Sequence, residues 1–266
     1  MRYFGADYIF PISGSPIQNG IVQVADDGTI IKIGKEEEFN DLDLNVATIE
    51  KVAKGSILIP GFINTHCHLE LSHLEGRVDT GTTLLPFLVG VVSLRKVDQA
   101  EIDAAIEQQD AYMYTQGIQA VGDICNQLDT ATLKSKSPIR YYSFVEMFDF
   151  LQSERAQETF AGYETVFNGQ ADQDGNAKSA VPHAPYTVSD PLYQLINGLN
   201  PAGKTVSIHN QETFAEDRLF THGDGPFVEF FQNFGMSLDD FTPPGSTSMP
   251  CHAWMLIAAP FWYTIP

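Results

Sequence analysis

The sequence predicts an α/β fold built from parallel strand–helix units. Hydrophobic residues make up 43% of the 266-residue chain and charged residues 18%, a balance typical of a folded globular protein. After about residue 56, apolar runs of strand length alternate with helically spaced segments, and this alternation favours parallel strands joined by helices. Several of these runs end at a histidine or a glutamate. The chain is long enough for one barrel or for two modest domains.

The first 55 residues follow a different pattern and are predicted to form short strands and turns. Ile21-Val22-Gln23-Val24 and Ile30-Ile31-Lys32-Ile33 flank the turn dipeptide Asp27-Gly28, which indicates a hairpin. We therefore divide the chain into an N-terminal β segment at 1–55, strand–helix units at 56–248 and an atypical tail at 249–266. The end of the chain is apolar, but Pro260 interrupts it and it is too short for a membrane span.

The strand–helix units begin at an apolar run, Ile57-Leu58-Ile59, which leads through Pro60-Gly61 to His66. Such a run indicates a buried parallel strand, although the run alone does not exclude a helix. Further strands are predicted at 118–124, 139–147, 177–182 and 204–208, and helices at 99–116, 130–136, 154–167, 190–199 and 227–234. The sequence therefore predicts five strands with this arrangement.

Charge and cysteine content limit the partners and the compartment. The chain has 34 acidic and 15 basic residues, a net charge of −19, so nucleic acids and anionic membranes are poor partner candidates. Cys67, Cys125 and Cys251 do not make a disulfide framework, and they fit a reducing compartment. The N-terminus lacks a basic region followed by a long apolar core. We therefore expect no signal peptide and a cytoplasmic location.

The histidines at the end of the first strand are the strongest candidates for chemistry. In a strand, side chains at i and i+2 point to the same face, so His66 and His68 would lie side by side with Cys67 on the opposite face. Two imidazoles in this arrangement are free to bind one metal ion. The alternative is that two surface or core histidines alternate by coincidence.

The segment Pro60-Gly61-Phe62-Ile63-Asn64-Thr65-His66-Cys67-His68 resembles the first barrel strand of the amidohydrolase superfamily. Leu69-Glu70-Leu71-Ser72, which follows it, is most similar to the branch of aminodeoxyfutalosine and adenosine-type nucleoside deaminases. The resemblance spans roughly 7–240. It implies a (β/α)8 TIM-barrel metal-dependent hydrolase with a small N-terminal β-sandwich. The implied reaction is the hydrolysis of a non-peptide carbon–nitrogen bond in a purine-nucleoside-like small molecule.

The resemblance also implies roles for particular residues. In that superfamily the His-x-His pair supplies two metal ligands, here His66 and His68. The motif His209-Asn210-Gln211-Glu212 resembles the fifth-strand motif, in which the histidine is a third ligand and the glutamate transfers protons. A polar strand-end residue and a helix N-terminal carboxylate are the alternatives for His209 and Glu212. The metal would be one divalent ion, zinc or iron, since both suit imidazole ligands.

Two further residues are candidates for substrate binding. In the related deaminases, the histidine of the motif Val181-Pro182-His183-Ala184-Pro185 contacts the substrate or the departing group, which implies that role for His183. In the nucleoside deaminase branch, the location of Glu70 is suited to a hydrogen bond with a sugar hydroxyl, so the resemblance implies that role, although a solvated carboxylate is almost as good an interpretation. Glu146, at the end of a predicted strand, is a weaker candidate of the same kind. Binuclear amidohydrolases usually have a metal-bridging lysine at the end of the fourth strand, where this chain has His183. Lys178 lies at the opposite end of that strand, so the resemblance favours a mononuclear site.

The sequence departs from the family pattern towards its C-terminus. A histidine at the end of a sixth strand and an aspartate at the end of an eighth are missing, and five strand–helix units are too few to close an eight-stranded barrel. We therefore expect a barrel truncated after about five units, from a chain that ended early or was read out of frame. Three alternatives follow: a nucleoside deaminase, a cyclic amide hydrolase or chlorohydrolase of the same superfamily, or an inactive truncated chain. A homo-oligomer is possible in each case.

Overall fold

The computed structural model describes residues 1–39, 49–51, 54–239 and 241–245. The chain divides into two compact units, Met1–Phe62 and Ile63–Pro266. The predicted tail at 249–266 lies outside the described residues.

The first unit contains a five-stranded sheet. Its strands are β1 (Arg2–Ile9), β2 (Ile17–Val24), β3 (Ile30–Lys35), β4 (Ile49–Lys51) and β5 (Ile57–Leu58). The order is β3-β2-β1-β4, with β5 also paired to β1. The hairpin strands β2 and β3 are antiparallel, and Thr29 N donates a hydrogen bond to Asp27 Oδ1 in the turn between them. Tyr3, Ile21 and Phe39 form a small buried cluster in this unit.

The predicted start of the first strand–helix unit is wrong. Residues Ile57–Leu58 form β5, which pairs with β1 in the N-terminal sheet, and Phe10 N donates to Leu58 O. The strand that carries the histidines, β6, begins only at Phe62. Pro60 explains the break, since proline has no backbone N–H to continue a ladder. The prediction of a buried strand is also wrong, because Asn64 and Cys67 are the only half-buried residues of β6 and the others are exposed.

The second unit contains the parallel strand–helix pattern. Its sheet has the order β6-β7-β8-β9, with β6 (Phe62–Cys67), β7 (Ile118–Cys125), β8 (Arg140–Met147) and β9 (Ala177–Pro182). The pairs β7–β8 and β8–β9 are parallel. Its helices are α1 (Leu84–Leu94), α2 (Gln99–Thr115), α3 (Ala131–Lys134), α4 (Ala156–Gly169), α5 (Asp190–Leu199), α6 (Phe214–His222) and α7 (Pro226–Asn233). The predicted α/β fold is confirmed.

Apolar side chains fix the helices against the sheet. Val145 and Ala180, on β8 and β9, pack in one cluster with Leu192 and Ile196 of α5 and with side chains of α4. A second cluster joins α2 to β7 and to the short 3₁₀ helix Leu69–Leu74, which directly follows β6. The sheet is therefore held in a fixed relation to the turn after the two histidines.

The predicted fifth strand is not formed. The segment 204–208 is described, but no strand is assigned there. It has isolated contacts with the neighbouring elements: Tyr142 OH donates to Thr205 O at 3.0 Å, and the following residue, His209, donates from its backbone N to His183 O at 2.9 Å. The two contacts hold the segment alongside the sheet without a hydrogen-bonded ladder, and the second places His209 at the carboxyl end of β9.

Helices α1 and α6 were not predicted from the sequence. Helix α1, LLPFLVGVVSL, is apolar on all sides and none of its residues is buried, so it lacks the polar face by which an amphipathic helix is found. Helix α6 begins at the N-cap Thr213, whose side chain accepts a hydrogen bond from Glu216 N. None of the helices in the described part of the chain is long and apolar enough to span a bilayer.

Candidate active site

Three histidines from two separate parts of the chain meet at the edge of the second sheet. The ring centroids of His66 and His68 lie 5.0 Å apart. The ring centroid of His209 lies 5.0 Å from that of His66 and 5.4 Å from that of His68. One ligand nitrogen from each ring lies within 4.8 Å of the other two. Cys67, between the two strand histidines, packs instead against the apolar cluster beneath α2. Strand alternation therefore separates the polar and apolar side chains of β6.

The chemistry of these rings fits a divalent metal ion. A metal needs a deprotonated imidazole nitrogen. Burial lowers the pKa of His68 to about 4, and it also lowers the pKa of His66. His209 Nδ1 lies 3.2 Å from His183 O, and because a carbonyl oxygen only accepts, Nδ1 is the donor and Nε2 is the nitrogen left to face a metal ion. The site therefore offers three imidazole nitrogens, a number of protein ligands common in catalytic zinc sites.

Glu212 is aimed by its neighbours at the same region. The Tyr186 hydroxyl donates to Glu212 Oε2 at 2.6 Å. Gln211, which precedes Glu212, has a positive φ of 58°, an uncommon conformation for a residue other than glycine. The Glu216 carboxylate accepts the backbone N–H of Gln211 at 3.1 Å and that of Glu212 at 2.8 Å. The turn after His209 is therefore fixed by α6 and not by a strand.

Glu212, His68 and His209 line a cavity of about 580 Å³ that has polar and apolar lining. The polar lining includes His68, His183, His209, Glu212, Glu146 and Asn126. The apolar lining includes Leu84, Phe87, Leu88 and Val91 of α1, together with Phe148, Phe150 and Phe230. A ligand that fills this cavity would place a polar group near the histidines and an apolar group near α1.

Glu70 is held in a network and does not line the cavity. Its Oε1 lies 2.6 Å from Arg95 Nη2, and its Oε2 accepts hydrogen bonds from Asn126 N and Gln127 N. Burial raises the pKa of Glu70 to about 7, and the Arg95 guanidinium opposes that shift. Arg95 also donates to Asn126 Oδ1 at 2.7 Å. Sugar binding by Glu70 stays a prediction that this geometry does not favour, since Arg95 and Asn126 reach the cavity instead.

A buried ion pair supports the turn after His68. Lys134 Nζ lies 2.6 Å from Asp123 Oδ2, and both side chains are fully buried. The other oxygen of Asp123 accepts a hydrogen bond from Leu69 N at 2.8 Å. This pair links the end of β7 and helix α3 to the residue that follows His68.

Sequence reasoning did not find several residues of the site. Tyr186, Glu216, Arg95, Asn126, Asp123 and Lys134 were all missed. Glu216 had a detectable signal, because Thr213-Phe214-Ala215-Glu216 matches the T-x-x-E pattern of a helix N-terminus. The other five depend on contacts between residues distant in sequence.

Comparison with known proteins was made for sequence and structure. No family model matches the chain. An adenosine deaminase of Helicobacter pylori is 28% identical over 212 residues, which cover 78% of this chain and 50% of the relative. The chain spans about half the length of the curated relatives it matches.

The structural matches show the same fold. The crystal structure of Helicobacter pylori aminofutalosine deaminase in complex with methylthio-coformycin has a TM-score of 0.70 at 24% identity, covering 88% of this chain and 57% of that chain. An adenosine deaminase from Xanthomonas campestris with bound zinc has a TM-score of 0.61 at 19% identity, covering 88% and 55%.

The fold is that of the amidohydrolase-type proteins among the structural matches. The comparisons confirm the resemblance found in the sequence, which is to the amidohydrolase superfamily and to its nucleoside deaminase branch.

Proposed function

We propose that the chain is an aminohydrolase that releases ammonia from a purine-nucleoside-like small molecule. The observation that carries the proposal is the position of Glu212 on the wall of the cavity that also contains His68 and His209. A carboxylate beside a metal site is suited to general acid–base catalysis, which contributes about 10²- to 10⁴-fold to a rate.

His66, His68 and His209 would hold one divalent ion, and zinc is the favoured metal. A related structure contains zinc, and imidazole ligands suit zinc as well as iron. An ion held there would supply Lewis-acid activation of water at neutral pH.

The residues of the chain would then move the protons. Glu212 would accept a proton from the attacking water and deliver it to the departing amine. The Tyr186 hydroxyl would hold the Glu212 carboxylate in position through its 2.6 Å hydrogen bond. His183 would orient the base of the substrate, because it lines the cavity and its Nδ1 is already held by Thr187 Oγ1 at 2.9 Å.

The cavity also favours a class of substrate. The apolar side chains of α1 in its lining suit an uncharged group of low polarity on the sugar, such as a 5′-deoxy or 5′-methylthio group. A related deaminase binds methylthio-coformycin. We therefore propose 5′-modified adenosines as better substrates than nucleotides, whose phosphates the chain would repel through its net charge of −19.

The test is an assay of ammonia release by the zinc-loaded chain with adenosine, 5′-deoxyadenosine and AMP. We expect Glu212→Gln to lower turnover at least about 100-fold with unchanged zinc content, measured by atomic emission. Equal turnover in the two proteins would remove Glu212 from the mechanism. Zinc binding without ammonia release from any of the three compounds would support the alternative of an inactive chain.

A further inference from the structure

A second group of ligand atoms overlaps the first. One atom each from Glu146, His183 and His209 lies within 4.8 Å of the other two. His209 belongs to both groups, and its ring centroid lies 5.0 Å from that of His183. Glu146 lies at the carboxyl end of β8, and His183 directly follows β9, the strand next to β8 in the sheet.

Glu146 has one oxygen without a partner. The residue is 4% exposed. Its Oε1 accepts a hydrogen bond from Asn126 Nδ2 at 2.7 Å, whereas the buried Oε2 has no hydrogen-bond partner among the described residues. An unpaired buried carboxylate oxygen is costly, so a positively charged or hydrogen-bearing group is expected beside it. His183 Nε2 lies 3.9 Å away, beyond hydrogen-bond distance.

His183 turns its other ring nitrogen to this oxygen. Its Nδ1 lies 2.9 Å from the hydroxyl of Thr187, so Nδ1 already has a partner. Nε2 is the ring nitrogen that lies 3.9 Å from Glu146 Oε2. A cation between these two atoms would give both of them a partner.

We infer that Glu146, His183 and His209 form a second position for a divalent cation, which an ion can occupy in place of the position at His66, His68 and His209. Zinc binds imidazole nitrogen at about 2.0–2.1 Å and carboxylate oxygen at about 2.0–2.2 Å. One ion can therefore join two atoms that lie up to about 4.2 Å apart, and the 3.9 Å between His183 Nε2 and Glu146 Oε2 is within this limit. The ligand atom of His209 lies within 4.8 Å of both. Because His209 belongs to both groups, a single ion uses it in one position or in the other.

The inference rests on the proposed function only because the two positions share His209. It does not require deaminase activity, and zinc binding can be measured directly. The first position is removed by His66→Asn with His68→Asn, which leaves all three ligands of the second unchanged. The second position is removed by Glu146→Gln, which keeps the shape of the side chain and the acceptor for Asn126.

The experiment is equilibrium dialysis with ⁶⁵Zn²⁺, supported by the visible spectrum of the Co²⁺-loaded proteins. We expect the wild-type chain and Glu146→Gln to bind one zinc ion with similar affinity. The double variant His66→Asn, His68→Asn should still bind one ion, with a dissociation constant raised about 10- to 1000-fold and a changed cobalt spectrum. Loss of an outer-shell partner typically weakens metal binding about 10- to 100-fold. Adding Glu146→Gln to the double variant should raise the zinc dissociation constant by more than this, because Glu146 is a direct ligand of the second position. His222→Ala, on the exposed end of α6, is the matched control and should change nothing.

The outcomes separate this inference from the proposed function. Failure of the wild-type chain to bind zinc overturns both. Binding by the wild-type chain without binding by the folded double variant overturns the second position alone, as does binding by the triple variant equal to that of the double variant. In the latter two cases a proton between Glu146 and His183 is the better account of the orphan oxygen. If the double variant is unfolded by circular dichroism, His66→Asn alone replaces it, since one substitution already breaks the first group.

Discussion

Glu212 depends on Tyr186 for its direction, because it follows a turn with no strand to hold it. The Tyr186 hydroxyl is the side-chain donor to Glu212, at 2.6 Å, and the tyrosine itself is buried. We predict that Tyr186→Phe lowers kcat about tenfold or more, because a misplaced reacting group is costly, while KM and zinc content change little. Steady-state kinetics of ammonia release on the zinc-loaded proteins would measure this. A change confined to KM would assign Tyr186 to substrate binding instead.

Glu216 gives the protein a pH-dependent stability. Burial raises the pKa of Glu216 from 4.5 to about 7, so the folded state holds this proton more tightly than the unfolded state does. The stabilising contribution is complete below pH 4.5 and is lost as the pH rises towards and through 7. We predict that the difference in unfolding free energy between wild type and Glu216→Gln falls by about 1–3 kcal/mol between pH 4.5 and 7.5. Urea denaturation across this range measures it, and a difference independent of pH would contradict the assignment.

The ion pair between β7 and α3 holds the backbone directly after His68, one of the proposed metal ligands. Lys134 and Asp123 are fully buried, and Asp123 also accepts the backbone N–H of Leu69, directly after His68. Removing one partner of a buried ion pair costs about 3–5 kcal/mol, because the other charge stays buried without compensation. Lys134→Met should therefore lower the unfolding free energy by that amount, measured by denaturant titration.

Two controls make this prediction specific. Arg218 of α6 forms an exposed ion pair with Asp224, which lies just after that helix. Asp224→Asn should lower the unfolding free energy by less than about 1 kcal/mol. Adding Asp123→Asn to Lys134→Met should recover part of the loss, since it removes the uncompensated charge. If Lys134→Met costs no more than the surface control, the buried pair does not stabilise this link.

The strands that the sequence predicted well are those with apolar residues on both faces. Residues 118–124, 139–147 and 177–182 were predicted, and β7, β8 and β9 cover nearly the same ranges. Two predictions failed because they depended on hydrogen-bond partners that a single sequence does not specify. Ile57–Leu58 pairs with β1, 48 or more positions away, and 204–208 has apolar residues of strand type but forms no ladder.

The candidate site was predictable in part for a similar reason. The strand alternation predicted that His66 and His68 lie together, although β6 ends at Cys67 and His68 caps the 3₁₀ helix that follows. His209 and Glu212 were found through the family motif. The network of Glu70, Arg95 and Asn126 was not found, because its members are separated by 25 to 56 positions and no local pattern joins them.

The metal position connects distant parts of the second unit, so binding should stabilise the whole unit. His66 lies near the end of β6 and His68 directly follows that strand, whereas His209 follows β9 and is attached there by its backbone hydrogen bond to His183 O. A ligand that binds only the folded state adds RT ln(1 + [L]/Kd) to stability, which is about 2.7 kcal/mol at a hundredfold excess over Kd. We therefore predict that zinc raises the thermal unfolding midpoint and that EDTA reverses the change.

His209→Asn is the decisive variant for this prediction. Because His209 belongs to both groups of ligand atoms, its loss should abolish the effect of zinc at the same concentration, whereas His66→Asn should weaken the effect without removing it. Hydrogen exchange gives the location: zinc should slow exchange of the His209 amide, whose segment lacks a strand ladder, more than that of amides within β8. Stabilisation of His209→Asn equal to that of the wild type would show that zinc acts elsewhere on this acidic chain.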